Sequence, residues 1–153
     1  MTVGSGALPP TLVGLSPEHQ KLLAELTSPV QFAAGEIILR EGDPAQGCWL
    51  LRTGTVVLTT TVLGRGTVIV ETLHGGDVLG WSWLGPQPVW QFGARATTVT
   101  DATQVDIPAF ERIADAQPAF GYAVTRALSG VLVARLQSTR ARLLDLYDGR
   151  REV

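Results

Sequence analysis

Residues 75–101 read GGDVLGWSWLGPQPVWQFGARATTVTD. The stretch holds three of the chain's four tryptophans (Trp81, Trp83 and Trp90) and Phe92, set among glycines and prolines. Short strands punctuated by Gly and Pro cannot hide that much aromatic surface locally, so the segment must fold onto something or around something. The residues before it read as strands and turns able to hold it. The residues after it read as helix able to cover it.

Upstream, the apolar runs are short: Ile37-Ile38-Leu39, Trp49-Leu50-Leu51, Val56-Val57-Leu58 and Val68-Ile69-Val70, with Val105-Asp106-Ile107 after the aromatic stretch. Glycine-containing turns separate them, among them Glu41-Gly42-Asp43, Arg52-Thr53-Gly54 and His74-Gly75-Gly76-Asp77. Short strands at regular turn spacing predict an antiparallel β-roll or jelly roll over residues 30–107. Gly64-Arg65-Gly66 between Thr-rich runs predicts a hairpin.

Helices flank this β region. Ser16 can cap, Pro17 suits a first turn, and Glu18 favours the helix dipole. Leu22, Leu23 and Leu26 then give one apolar face, ending near residues 27–29. Pro108 opens a short helix and Pro118 a long one, to about Tyr147. The expected organisation is a loose arm over 1–14, one domain over 15–147 and a tail over 148–153. In the long helix Leu132, Thr139 and Leu146 recur at seven, with Leu136 and Leu143 between them, a seam expected to make a homodimer. Phe120, Val124 and Leu128 are expected to pack on the roll.

Composition excludes several classes. A hydrophobic content of 45% with 17% charged residues fits a globular chain, not a disordered one. A net charge of −2 gives no reason to expect a nucleic-acid or membrane partner. Five arginines (Arg135, Arg140, Arg142, Arg150 and Arg151) fall in the last helix and tail, interleaved with Asp145, Asp148 and Glu152, and read as a solvated face. Cys48 is the only cysteine, which excludes an intrachain disulfide and a thiolate-rich metal site, and it reads as a small core residue. His19 and His74 are isolated and read as solvated; Asp43 and Asp77 read as turn residues. No signal peptide or membrane span is recognisable, so a cytoplasmic protein is expected. No nucleophile–base pair, paired carboxylate set or phosphate loop can be assembled, so neither catalysis nor a cofactor is expected.

Five ordered motifs then carry a resemblance. They are Phe32-x-x-Gly35-Glu36-x-Ile38, Arg40-Glu41-Gly42-Asp43, Leu50-Leu51-x-x-Gly54-x-Val56, Leu73-x-x-Gly76-Asp77-Val78-x-Gly80, and Ala94 with Thr100-Asp101. Together they resemble the cyclic nucleotide-binding domain family, most closely the sensor half of the catabolite activator and fumarate–nitrate regulators, over residues 15–146. Ala134-Arg135-Leu136-Gln137-x-Thr139 is similar to that family's dimer helix. The resemblance implies a mainly β fold, with one N-terminal helix and a long C-terminal one.

It also implies a phosphate-binding cassette after Gly80. There the family carries a glutamate for the ribose hydroxyl, backbone N–H groups on a short helix, and an arginine for the cyclic phosphate. In this chain Trp81 stands at the glutamate position and Phe92 at the arginine position. Arg95 is near, but three residues along a strand reverse the face. Thr139 matches the position that touches the base, and Arg140 replaces a small hydroxyl beside it. Cyclic nucleotide binding of the usual kind is therefore not expected. Trp81, Trp83, Trp90 and Phe92 either fill the site as core, or line an apolar pocket or partner surface. The expected function is a homodimeric, non-enzymatic regulatory or sensor module acting through an apolar small ligand or a protein partner. The alternatives are an adaptor presenting the Trp-rich loop to an assembly and, more weakly, a transcription regulator without its own DNA-binding part. No helix-turn-helix is recognisable after the long helix, so DNA binding by this chain alone is not expected.

Overall fold

The computed structural model describes residues 14–151. Helix α1 (Pro17–Ala24) starts as its sequence predicts, with the Ser16 side chain accepting from the His19 N–H at 3.2 Å. It ends at Ala24, earlier than the expected 27–29, because residues from Thr27 enter a strand. That strand, β1 (Thr27–Phe32), contains Pro29 and lies at a sheet edge, where a missing N–H is tolerated. The other strands are β2 (Ile37–Leu39), β3 (Gly47–Thr53), β4 (Val56–Val62), β5 (Gly66–Leu73), β6 (Val78–Leu79), β7 (Gly93–Ala96) and β8 (Thr100–Asp106).

The pairings among these strands are all antiparallel. One sheet has the order β1-β8-β3-β6 and the other β2-β7-β4-β5. No helix interrupts residues 45–75, as the β-roll reading requires. Strand β3, inside the first sheet, has an apolar layer on each face. Cys48 and Leu50 of β3 face a core shared with the helices, which includes Leu23, Phe110, Phe120 and Val124. Trp49 and Leu51 face a second core between the sheets, with Leu39, Leu58, Leu79 and Trp90. This is the period-two alternation of a strand between two apolar layers.

Helix α2 (Ile107–Ala116) is capped by Asp106, whose side chain accepts from the Ala109 N–H at 3.1 Å. Helix α3 (Pro118–Arg151) runs past the predicted end at Tyr147, and at 34 residues spans about 51 Å. Its first turns cross α2 closely: a Cβ on Gly121 would meet Ala114 Cβ at 2.7 Å. Phe120, Val124, Ala127 and Leu128 are buried there, whereas Leu136, Leu143 and Leu146 are exposed. The long helix is therefore anchored by its first third.

Gly54 shows how tightly one turn is specified. Its φ is +97°, and a Cβ would lie 2.5 Å from Thr100 Oγ1 and 2.6 Å from the Val99 carbonyl oxygen. Gly64, at φ +84°, has open space around it. Gly64→Ala is expected to cost roughly 1–2 kcal/mol from backbone strain alone. Gly54→Ala is expected to cost more, because the backbone must also move. Urea unfolding of the two variants tests this; equal costs would remove the steric argument.

Candidate functional site

The 80–92 segment leaves β6 through Gly80, at φ +86°. A Cβ there would come within 3.0 Å of the Trp90 ring and 3.1 Å of the Trp49 ring, so two indoles press on this glycine. A single 3₁₀ turn comes next (Ser82–Leu84). The Trp83 indole N–H donates to the Gly80 carbonyl at 3.0 Å and closes the turn over itself. The chain then runs out over the exposed Pro86-Gln87-Pro88 and returns at Trp90. Trp90 is pinned by its backbone: its N–H donates to Asp43 O at 2.9 Å and its carbonyl accepts from the Gly42 N–H at 2.8 Å.

The aromatic residues are shared between the two cores, and Trp81, Trp90 and Phe92 border one small space. Trp90 is 6% exposed and packs between the sheets, its ring 6.0 Å from that of Trp49. Trp83 packs against both cores and meets Phe110 edge-on at 5.7 Å. Trp81 is half-buried beneath α3, with the Arg135 guanidinium 5.6 Å from its ring centre. Phe92 is 41% exposed at the rim.

The space under this segment is small. Leu39, Leu58, Leu79, Trp81, Trp90 and Phe92 bound a volume of about 40 Å³, whereas small-molecule sites hold roughly 300–1,000 Å³. Among the described residues no cation lines it. Arg95 lies on β7 between the buried Ala94 and Ala96 and is itself exposed, so its side chain leaves on the outer face. A larger cleft of about 910 Å³ lies elsewhere, between β5, the β5–β6 turn and α3.

On α3, Thr139 is half-buried, with its hydroxyl 3.5 Å from an Arg142 nitrogen, and Arg140 is exposed. Neither lines the 40 Å³ space. Leu132 is half-buried; Leu136, Leu143 and Leu146 are 50–68% exposed. One residue departs from the solvated helix face predicted for it. The Arg135 side chain is 14% exposed, paired with Glu71 at 3.1 Å and Asp77 at 3.3 Å. Asp77 also makes its turn, accepting from the His74 N–H at 2.8 Å. Glu71 and Arg135 are 64 positions apart, and no local signal links them.

Cys48 is buried, and burial pushes its thiol up to about 12, against an opposing effect of the Trp83 side chain. The thiol therefore stays protonated in the folded chain at pH 8.5. Its contribution to stability is complete below pH 9, the unfolded value, and is lost as pH rises through about 12. Alkylation with iodoacetamide at pH 8.5 is expected to be slow in buffer and fast in denaturant. Equal rates would show that the Trp83 side of the core opens readily.

The profile of the family described as "Cyclic nucleotide-binding domain" matches residues 29–117. The "HTH-type transcriptional regulator Cmr" of Mycobacterium tuberculosis is 31% identical over 136 residues, covering 87% of this chain. The chain spans about half the length of that regulator, 54%. Among solved structures, a cyclic nucleotide-binding domain from Methylobacillus flagellatus superposes with a TM-score of 0.81 at 20% identity, covering 92% of this chain and 83% of that one. The Thermus thermophilus catabolite activator protein gives 0.69 at 24%, covering 90% and 63%. At these identities the structural likeness shows the fold alone.

Proposed function

The chain belongs to the cyclic nucleotide-binding domain family, and on that premise we propose that it is a regulatory module whose 80–92 segment takes no cyclic nucleotide and which works through protein contacts, as a homodimer. One observation carries the reading: the space under the segment is about 40 Å³ and has no cation in its wall. A cyclic phosphate entering it would lose hydration that no charged partner restores. Trp81 offers no acceptor for a ribose hydroxyl, and Phe92 no charge for a phosphate. Arg135, the cation in contact with Trp81, is already held by two carboxylates.

Each missing charged hydrogen bond weakens binding by roughly 1.5–3 kcal/mol. Two of them amount to roughly two to four powers of ten in affinity. Titration calorimetry with cyclic AMP and cyclic GMP is expected to give no saturable heat in the micromolar range. Micromolar or tighter binding of either nucleotide would sink the reading. In the converse experiment, Trp81→Glu with Phe92→Arg supplies the acceptor and the cation and removes one indole, and is expected to gain affinity.

Two exposed features support protein contacts. Val89 and Phe92 flank the segment's return at its rim, next to the exposed Pro86 and Pro88. On α3, Leu136 and Leu143 lie seven residues apart and expose half or more of their surface. Sedimentation is expected to give a dimer. Leu136→Asp with Leu143→Asp is expected to give monomers, since each dimer would bury two copies of each charge. A wild-type chain that is monomeric at high concentration would remove the seam.

A further inference from the structure

Beyond Val131, α3 has left the apolar core. Past that point Leu132, Arg135 and Thr139 are half-buried, and the residues from Arg140 to Gly149 are exposed. On one side the helix borders the 910 Å³ cleft, where it presents the small residues Gly130, Ala134 and Ser138. Apolar packing therefore does little to fix its direction. Charge is placed to do so. One carboxylate oxygen, Glu71 Oε1 on β5, accepts from Arg135 Nη2 at 3.1 Å and from Arg142 Nη2 at 3.2 Å. The two arginines are seven residues, about two helical turns, apart, so β5 holds one face of α3 at two levels.

Arg135 continues the linkage. Its Nη1 donates to Asp77 Oδ1 at 3.3 Å in the β5–β6 turn, and its guanidinium lies 5.6 Å from the centre of the Trp81 ring. Its Nε is buried without an acceptor among the described residues. The side chains of Glu71 and Arg135 are 17% and 14% exposed, so solvent screens this pair less than a surface ion pair. Guanidinium–carboxylate hydrogen bonds are directional in a way that apolar contact is not.

We propose that Glu71, Asp77, Arg135 and Arg142 form a docking clamp that sets the angle at which the far half of α3 leaves the roll, and so decides whether Leu136 and Leu143 are presented to a second copy of the chain. The second part rests on the proposed homodimer. The lever is long: Leu143 lies about 18 Å along the helix from Val131, so a tilt of about 20° there moves it by roughly 6 Å. That displacement is larger than one side-chain contact. Trp81 joins the clamp through its ring, which ties the helix direction to the aromatic segment. Arg135 and Glu71 are positioning residues here.

The experiment is hydrogen exchange by mass spectrometry on the full chain, read together with sedimentation. Exchange is compared in the Leu136→Asp/Leu143→Asp background, so that loss of a dimer cannot imitate loss of the clamp. Adding Glu71→Gln there is expected to speed exchange across residues 132–149 at least tenfold, with β3 and β8 unchanged. Trp81→Leu, which removes the ring beside Arg135, is expected to speed it roughly 2- to 30-fold. In the otherwise wild-type chain, Glu71→Gln is expected to weaken self-association at least tenfold.

Exchange across 132–149 that is indifferent to Glu71→Gln would overturn the clamp while leaving the dimer reading intact. Faster exchange in β3 and β8 as well would also overturn it, by showing that Glu71 supports the whole fold and does not set the helix direction. A wild-type chain that sediments as a monomer would overturn presentation to a second copy. In that case the exchange comparison still decides whether the clamp exists.

Discussion

Two indole rings meet over one glycine, and much of the molecule depends on that contact. Trp49 arrives from β3 and Trp90 from the end of the aromatic segment, and both lie against Gly80, 3.1 and 3.0 Å from where a Cβ would stand. The contact joins the first sheet to the space between the sheets. With Trp90 inside, the turn at Gly42 and Asp43 is tied down by its backbone bonds, and the chain must pass outward over Pro86 and Pro88. Trp81 is then left under α3, with Arg135 as its partner.

The same contact decides the chemistry. In this fold the region around Gly80 is where a small anion would need convergent donors and a cation. Here the interior is occupied by Trp90, and the cation beside Trp81 is neutralised from within the chain by Glu71 and Asp77. What remains outward is apolar and proline-rich at the rim and leucine-rich along the helix.

The fold was legible in the sequence because its signals are local. Glycines at turns, the Ser16 and Asp106 caps, and prolines at helix starts each act within a few residues, and each lies where its own physics puts it. The motifs at Gly35, Gly42, Gly54, Gly76 and Gly80 all occupy positive φ, which explains why their order alone identified the architecture. The end of the first helix was placed near 27–29, but the chain is already in strand β1 there, and Pro29 is accommodated because that strand is at a sheet edge. The site was only partly legible. The positions of Trp81 and Phe92 on either side of the segment could be read directly. That Trp90 would enter the core between the sheets while Trp81 meets Arg135 and Phe92 stays at the rim could not, since it depends on tertiary contacts. Arg135 was hidden for the same reason: its partners come from β5 and the turn after it, and nothing near Arg135 in the chain predicts them.

The strand order has a consequence for the order in which the molecule can be built. β1 and β3 both pair with β8, and Thr27 meets Val105 across the sheet. The first sheet therefore cannot close until the last strand exists. The β4–β5 hairpin is the opposite case, with both halves adjacent in sequence, and it can form while the rest of the chain is still open. Between these two events the tryptophans have been made but have no lid, because the helix that covers Trp81 comes later still. During synthesis the chain passes through a stage in which its most aromatic segment is complete and uncovered, the stage at which association with a chaperone or with another nascent chain competes with closure.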